Sequence, residues 1–183
     1  MKSQTKPKIP SSDPLESQFE VIFLAIYRYF RYRGADPQLA DDLAATVVER
    51  ALLKKETYDP RKGSFNTWIF HIAHNTAINH WTWQTRRPEI ALDSLAEQSS
   101  QELLPEEFVI QHQDIDEMLS VLRILKERER EILALKFAGH LTNRQIGDLM
   151  GLSEDNIGVI LHRTFQQLKF VLARPLKEVK PNV

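Results

Sequence analysis

Apolar residues recur along this chain at three- and four-residue intervals, the period of a helix with one buried face, and no stretch alternates convincingly as a strand would. Leu15, Phe19, Ile22, Phe23, Ile26 and Phe30 form the first such series, and Gly34 is a natural stop for it. Asp36-Pro37 is a good restart, with Asp as N-cap and Pro at the first helical position. Leu39, Ala40, Leu43, Val47 and Ala51 then share one arc, which leaves Gln38, Asp41, Asp42 and Glu49 as an acidic stripe on the other side. After turn chemistry from Tyr58 to Gly63, Ser64 can cap a long helix reaching about Thr85. Its apolar arc holds Phe65, Trp68, Ile69, Ile72, Ala73 and Ala77. A second group of helices begins near Asp114, with Ile115, Met118, Leu119, Leu122 and Leu125, continues through Ile132, Leu133, Leu135 and Lys136, and closes at Gly139.

Charge divides the chain where the periodicity does. Residues 1–88 carry 13 Lys/Arg against 9 Asp/Glu, residues 89–117 carry 9 acids and no Lys or Arg, and residues 118–183 carry 11 bases against 7 acids. Two mildly basic lobes are therefore joined by a strongly acidic segment. The expected layout is a polar tail over 1–14, a helical domain over 15–88, an acidic flexible linker over 89–113, a second helical domain over 114–173 and a tail over 174–183. Free-standing DNA binders usually carry more positive charge, so any DNA binding should be weak alone and assisted by a partner. Cysteine is absent, which excludes disulfides and thiolate metal sites and fits a reducing compartment such as the cytoplasm. The longest apolar run, Val21 to Tyr27, is too short to span a bilayer, and the N-terminus lacks a signal-peptide core.

The most informative stretch is LTNRQIGDLMGLSEDNIGVILHR, from Leu141 to Arg163. It reads as two helices around a tight turn. Thr142 and Gln145 form a capping box, Gly151 supplies the left-handed turn residue, and Ser153 caps the second helix, whose positive end suits Glu154 and Asp155. Ile157, Ile160, Leu161, Thr164 and Leu168 point one way; Asp155, Val159, His162, Arg163 and Gln166 point the other, with Gly158 on the flank. That is the anatomy of a helix-turn-helix, whose second helix enters the major groove. Gly158 permits close backbone approach and Val159 can touch a thymine methyl, while His162 and Arg163 are the best candidates for base or phosphate contact.

With these residues in view, the chain resembles the extracytoplasmic-function group of the sigma-70 family of RNA polymerase sigma factors. The run from Leu141 to Leu168, preceded by LKEREREIL at Leu125–Leu133, is similar to the family's region 4, although Lys126 stands where proline is common. FNTWIFHIAHN at Phe65–Asn75, with Ala77, Asn79 and Arg86-Arg87-Pro88, resembles region 2. Asp42-Leu43 resembles the start of the polymerase-binding helix, where Ala45, Thr46 and Val48 replace the usual Gln, Glu and Phe. The length points to the minimal, two-lobed type.

The resemblance implies a division of labour. Asp41, Asp42 and Glu49 would dock on core RNA polymerase. Arg61, Lys62, Asn66, Trp68, Asn75, Asn79, Arg86 and Arg87 would capture the −10 promoter element as single strand: amides read unpaired bases, and the bases hold phosphates. Arg144, Asn156, Gly158, Val159, His162 and Arg163 would read the −35 element as duplex. The 25-residue linker reaches roughly 80–90 Å if extended, beyond two duplex turns of roughly 34 Å each, and the resemblance implies that it threads the polymerase's nucleic-acid channel. An anti-sigma protein is the partner the family's common control would add. No catalytic set, cofactor or membrane contact is expected. His71 and His74 lie three residues apart, but His80 faces away and no carboxylate is expected beside the pair, so no metal site is expected. The run Tyr27 to Arg33 interleaves bases with aromatics and reads as half core, half solvated face. The competing reading is a helix-turn-helix regulator that binds duplex DNA without polymerase.

Overall fold

A computed structural model describes residues 19–86 and 119–173, with the side chains of 83–86 left undescribed. Arg87 and the expected linker and tails lie outside the described residues. The described chain is helical throughout: α1 (Phe19–Arg33), α2 (Pro37–Lys54), α3 (Phe65–Arg86), α4 (Glu127–Phe137), α5 (Asn143–Met150) and α6 (Glu154–Leu172). A short 3-10 turn, Lys55–Thr57, follows α2, and a helical turn at 119–122 leads toward α4.

The helix ends follow from local chemistry. Gly34 takes φ +104° and stops α1. The Leu39 amide donates to Asp36 Oδ1 at 2.9 Å, and Pro37 starts α2. The Thr67 amide donates to Ser64 Oγ at 3.2 Å at the head of α3. The Lys126 amide donates to Glu129 at 2.9 Å, so a carboxylate three residues on organises the start of α4 where proline is absent. In the first lobe, α2 buries Ala40, Leu43, Ala44, Val47, Val48 and Ala51 against α1 and α3. Arg50 Nη1, donating to Thr76 Oγ1 at 3.0 Å, ties α2 to α3.

The two lobes pack against each other, α4 lying along α1. This changes the reading of Tyr27–Arg33. Phe30 is core, as its place in the apolar series predicts, and Tyr29 joins it; Arg31 and Arg33 are buried as well, at 7% exposure, so the run has less of a solvated face than expected. The second lobe covers them, which no periodicity within α1 could reveal. Arg33 stacks 4.4 Å over Trp81, which also stacks on Phe30 and so belongs to the core of this seam. Glu131 of α4, 3% exposed, accepts from Tyr29 Oη at 2.5 Å, lies 2.9 Å from His74 Nδ1 and pairs with Arg33; Arg33 also pairs with Glu127 at 3.0 Å. One carboxylate of the second lobe thus gathers three side chains of the first. It also corrects the expectation that no carboxylate lies beside the histidines. Gly139 completes the seam. An added Cβ there would lie 2.6 Å from the Leu135 carbonyl and 3.1 Å from the Phe70 ring, so only glycine admits this approach.

Candidate nucleic-acid interface

The second lobe presents its recognition helix as the sequence pattern requires. In α5 the Gln145 amide donates to Thr142 Oγ1 at 3.2 Å, and the Thr142 amide to Gln145 Oε1 at 2.8 Å. Gly151 sits at φ +68° in the left-handed region, and the Asn156 amide donates to Ser153 Oγ at 3.2 Å. Three satisfied caps within twelve residues fix the angle between α5 and α6. Ile157, Leu161 and Thr164 are buried, whereas Asn156, Val159, His162 and Arg163 are exposed, as is Arg144 on α5. Asn143, Glu154, Asp155, Gly158, Val159, His162 and Arg163 line one open depression of about 520 Å³. Asn143 is a member the sequence reading missed. Its Oδ1 accepts from Lys136 Nζ at 3.0 Å, and its Nδ2 lies 3.7 Å from where a Gly158 Cβ would stand. That amide is therefore held at the rim beside the bare backbone of Gly158.

The first lobe offers a different surface. Asn75 and Asn79 are exposed and have no side-chain hydrogen-bond partner among the described residues, so they are not amides satisfied at the edge of the core. Trp68, on the same stripe by helical spacing, is half-buried among Tyr58 and Phe65, with ring centroids 5.6 and 5.4 Å away. Arg61 does not extend freely. Its Nε and Nη2 each reach Asp59 at 3.0 Å, and the pair holds the Asp59 carboxyl below the usual carboxylate range and raises the arginine. Both groups remain on an exposed loop beside exposed Lys62. Asn66 departs most from expectation, since its Nδ2 donates to the Gly139 carbonyl of the second lobe. Next to it, Gln145 Nε2 donates to Thr67 Oγ1 at 2.8 Å. The start of the amide-bearing helix is therefore tied to the second lobe by two hydrogen bonds.

On α2, Asp41, Asp42 and Glu49 are all exposed, and Val48 is core. The sequence reading missed Leu52 and Leu53, 48% and 78% exposed, which continue the stripes of Asp41 and of Asp42 and Glu49. The helix thus carries an acidic face ending in an apolar tip, a surface suited to a partner.

Residues 24–87 match the family profile of Sigma-70 region 2, and residues 121–169 match that of Sigma-70 region 4. The chain belongs to the sigma-70 family. Within the family, this member is 26% identical over 147 residues to the ECF RNA polymerase sigma factor BldN of Streptomyces coelicolor, covering 80% of this chain and 56% of BldN. It is 23% identical to the ECF RNA polymerase sigma factor SigX of Bacillus subtilis, covering 85% of this chain and 84% of SigX. SigD of Mycobacterium tuberculosis, also an ECF RNA polymerase sigma factor, is 26% identical, with 85% and 75% covered. In fold, this family member resembles the sigma factor RpoE in complex with the anti-sigma factor NepR from Bartonella quintana, with a TM-score of 0.64, 16% identity and coverage of 87% and 96%. CnrH, in complex with the cytosolic domain of CnrY, aligns at TM-score 0.58 with 16% identity, over 87% of this chain and 84% of CnrH. Among the described residues, no helix is long and apolar enough to cross a membrane, and no group of three or more potential ligands could hold a metal ion.

Proposed function

We propose that this chain is a promoter-specificity subunit of the extracytoplasmic-function type, which directs core RNA polymerase in the cytoplasm to a defined set of signal-responsive promoters. One observation carries the reading: two family regions stand in order on one chain, each with an exposed face of suitable chemistry. The acidic and apolar face of α2, with Asp41, Asp42, Glu49, Leu52 and Leu53, docks on the core enzyme. Asn75 and Asn79 read unpaired bases of the −10 element, with Asn66 and Trp68 at the head of that helix and Arg61, Lys62, Arg86 and Arg87 on the phosphates. Arg144, Asn156, Gly158, Val159, His162 and Arg163 read the −35 duplex.

The seam gives this assignment a mechanical requirement. Two promoter elements about two helical turns apart cannot both be engaged while α4 lies along α1 and Asn66 is bonded to Gly139. Promoter binding requires the lobes to separate. The acidic segment between them supplies the reach and passes through the polymerase's nucleic-acid channel. An anti-sigma protein that binds the closed lobes would act by holding this arrangement, since a partner can shift an equilibrium only by binding one state more tightly.

The test is transcription from fragmented host DNA by purified core polymerase, with and without this chain, mapping 5′ ends. New starts sharing two upstream motifs at fixed spacing are expected. No new starts, together with no binding to core polymerase, would overturn the assignment and leave a regulator that binds duplex DNA alone.

A further inference from the structure

We propose that the seam between the lobes contains a binding site for a phosphate monoester with a small apolar or aromatic body, and that its occupation holds the lobes closed. Beside the Glu131 cluster lies a cavity of about 390 Å³, within the range that encloses small ligands. Both lobes build it. Arg31, Tyr32 and Asp36 come from the first lobe, and Leu122, Arg123 and Arg130 from the second.

Its charge is unbalanced. Arg123 and Arg130 face a single carboxylate, Asp36, an oxygen of which already accepts from the Leu39 amide at 2.9 Å, while Arg31 Nη1 donates to the Ala35 carbonyl at 3.3 Å. The neighbouring acids Glu127 and Glu131 are engaged by Arg33. Arg123 and Arg130 have no carboxylate partner among the described residues. Arg130 Nε is moreover buried without any hydrogen-bond partner. A buried guanidinium donor left unsatisfied is costly, and an oxyanion is the group that satisfies it best, because the planar fork of arginine matches paired oxygens. Arg130 Nη1 lies beside Gly34, 4.0 Å from where a Cβ of that residue would stand. Two arginines without carboxylate partners favour a dianion over a monoanion. Tyr32 and Leu122 supply an apolar wall for the ligand's body.

Because the walls come from both lobes, an opened chain holds only half of the site. A ligand that needs both halves binds the closed form alone and stabilises it by mass action. That such binding would restrain transcription rests on the opening requirement of the proposed function; the binding itself does not.

The experiment uses the full chain and phenyl phosphate as the probe, followed by calorimetry, with phenol and inorganic phosphate as comparison ligands. Saturable one-to-one binding is expected, tighter than for either comparison ligand. It should weaken at least tenfold in Arg130→Gln and in Arg123→Gln and persist in Arg163→Gln. Arg123 is exposed, so its variant keeps the test valid if Arg130→Gln fails to fold. The chain has no cysteine, so single cysteines at exposed Glu56 and Lys169 can carry a donor and an acceptor dye. Phenyl phosphate should raise the high-transfer population in the wild-type background and not in Arg130→Gln. Absence of saturable binding, binding unchanged in both arginine variants, or equal loss in Arg163→Gln would overturn the proposal. None of these readouts needs polymerase or promoter DNA, so failure here and failure of the sigma-factor assignment are separable.

Discussion

The helix-turn-helix and the seam are built in opposite ways. Each side-chain cap of the helix-turn-helix is made within three residues: Thr142 with Gln145, and Ser153 with Asn156. Its apolar contacts join helices separated by one turn. The seam joins groups far apart in sequence, with Tyr29 and Glu131 separated by 102 positions and His74 and Glu131 by 57, and it does so with buried charge. Local, satisfied contacts make a module that keeps its shape whatever its surroundings. A remote, charged contact has a large internal dependence and little to hold it once one member is lost, because each group was desolvated on the strength of its partners. The first design suits a surface that must always be ready to read DNA. The second suits the junction that, under the proposed function, has to come apart.

The largest effect is therefore expected at Glu131. Replacing it by Gln removes the buried charge opposite Arg33 and leaves exposed Glu127 as its remaining carboxylate, with the volume intact. Breaking a buried pair by removing one partner costs about 3–5 kcal/mol. Here that loss should appear as separation of the lobes, with each lobe still folded. Small-angle scattering should show a larger radius of gyration at unchanged helical circular dichroism. An unchanged radius would mean that the cluster does not hold the lobes together.

Proton binding probes the same contact without mutation. Burial, then Arg33, then His71 push the His74 pKa down to about 4, so the folded chain favours neutral His74. A histidine whose pKa is lowered on folding contributes stability that is complete above its free value near 6.5 and lost as pH falls toward about 4. Melting followed at pH 7 and pH 5 should show lower stability at pH 5, with a smaller difference in His74→Gln. An equal difference in the variant would assign the pH response elsewhere.

Two glycines sharpen the contrast. Gly139→Ala places a methyl group against the Phe70 ring and the Leu135 carbonyl, and overpacking of this kind costs about 1–3 kcal/mol. Gly151 meets nothing within 4 Å but sits in the left-handed region, so alanine there costs about 1–2 kcal/mol through backbone strain alone. Hydrogen exchange should report the first change at the seam, in α1 and α4, and the second only in α5 and α6. Exchange in α1 that responded equally to both would show that the module and the seam are one cooperative unit.

The same contrast explains what could be read in advance. Thr142, Gly151, Ser153 and the inward series Ile157, Leu161 and Thr164 carry their structural meaning within a few positions, so the caps, turn and buried face of the helix-turn-helix were legible residue by residue. Asp36-Pro37 and Ser64 were legible for the same reason. Arg31, Arg33 and His74 were not, because what buries them lies on another lobe. A signal existed all the same. Glu131 falls four residues before Leu135 on the apolar face of α4, and a carboxylate in such a position needs a partner. The sequence names the need for that partner, but only the fold says where it is. Asn66 shows the converse. Its place in the amide-bearing stretch was visible, while its bond to Gly139 depends on the lobes meeting.

The smallest effect on stability is expected where the assigned function is most direct. Arg163 is exposed on the outer face of α6, and surface substitutions of this kind usually lie within about 0.5 kcal/mol. Arg163→Ala should therefore leave the melting temperature and the radius of gyration unchanged. In complex with core polymerase, however, it should weaken promoter binding. The form of the loss tells what the side chain does. A phosphate contact weakens binding on all sequences alike and lowers the salt dependence by about one released ion, whereas a base contact leaves the slope and relaxes preference at a single −35 position. His162→Ala, one residue away, provides the comparison. If neither variant altered binding while both kept the fold, the outer face of α6 would not be the reading surface, however well its caps and spacing suit it.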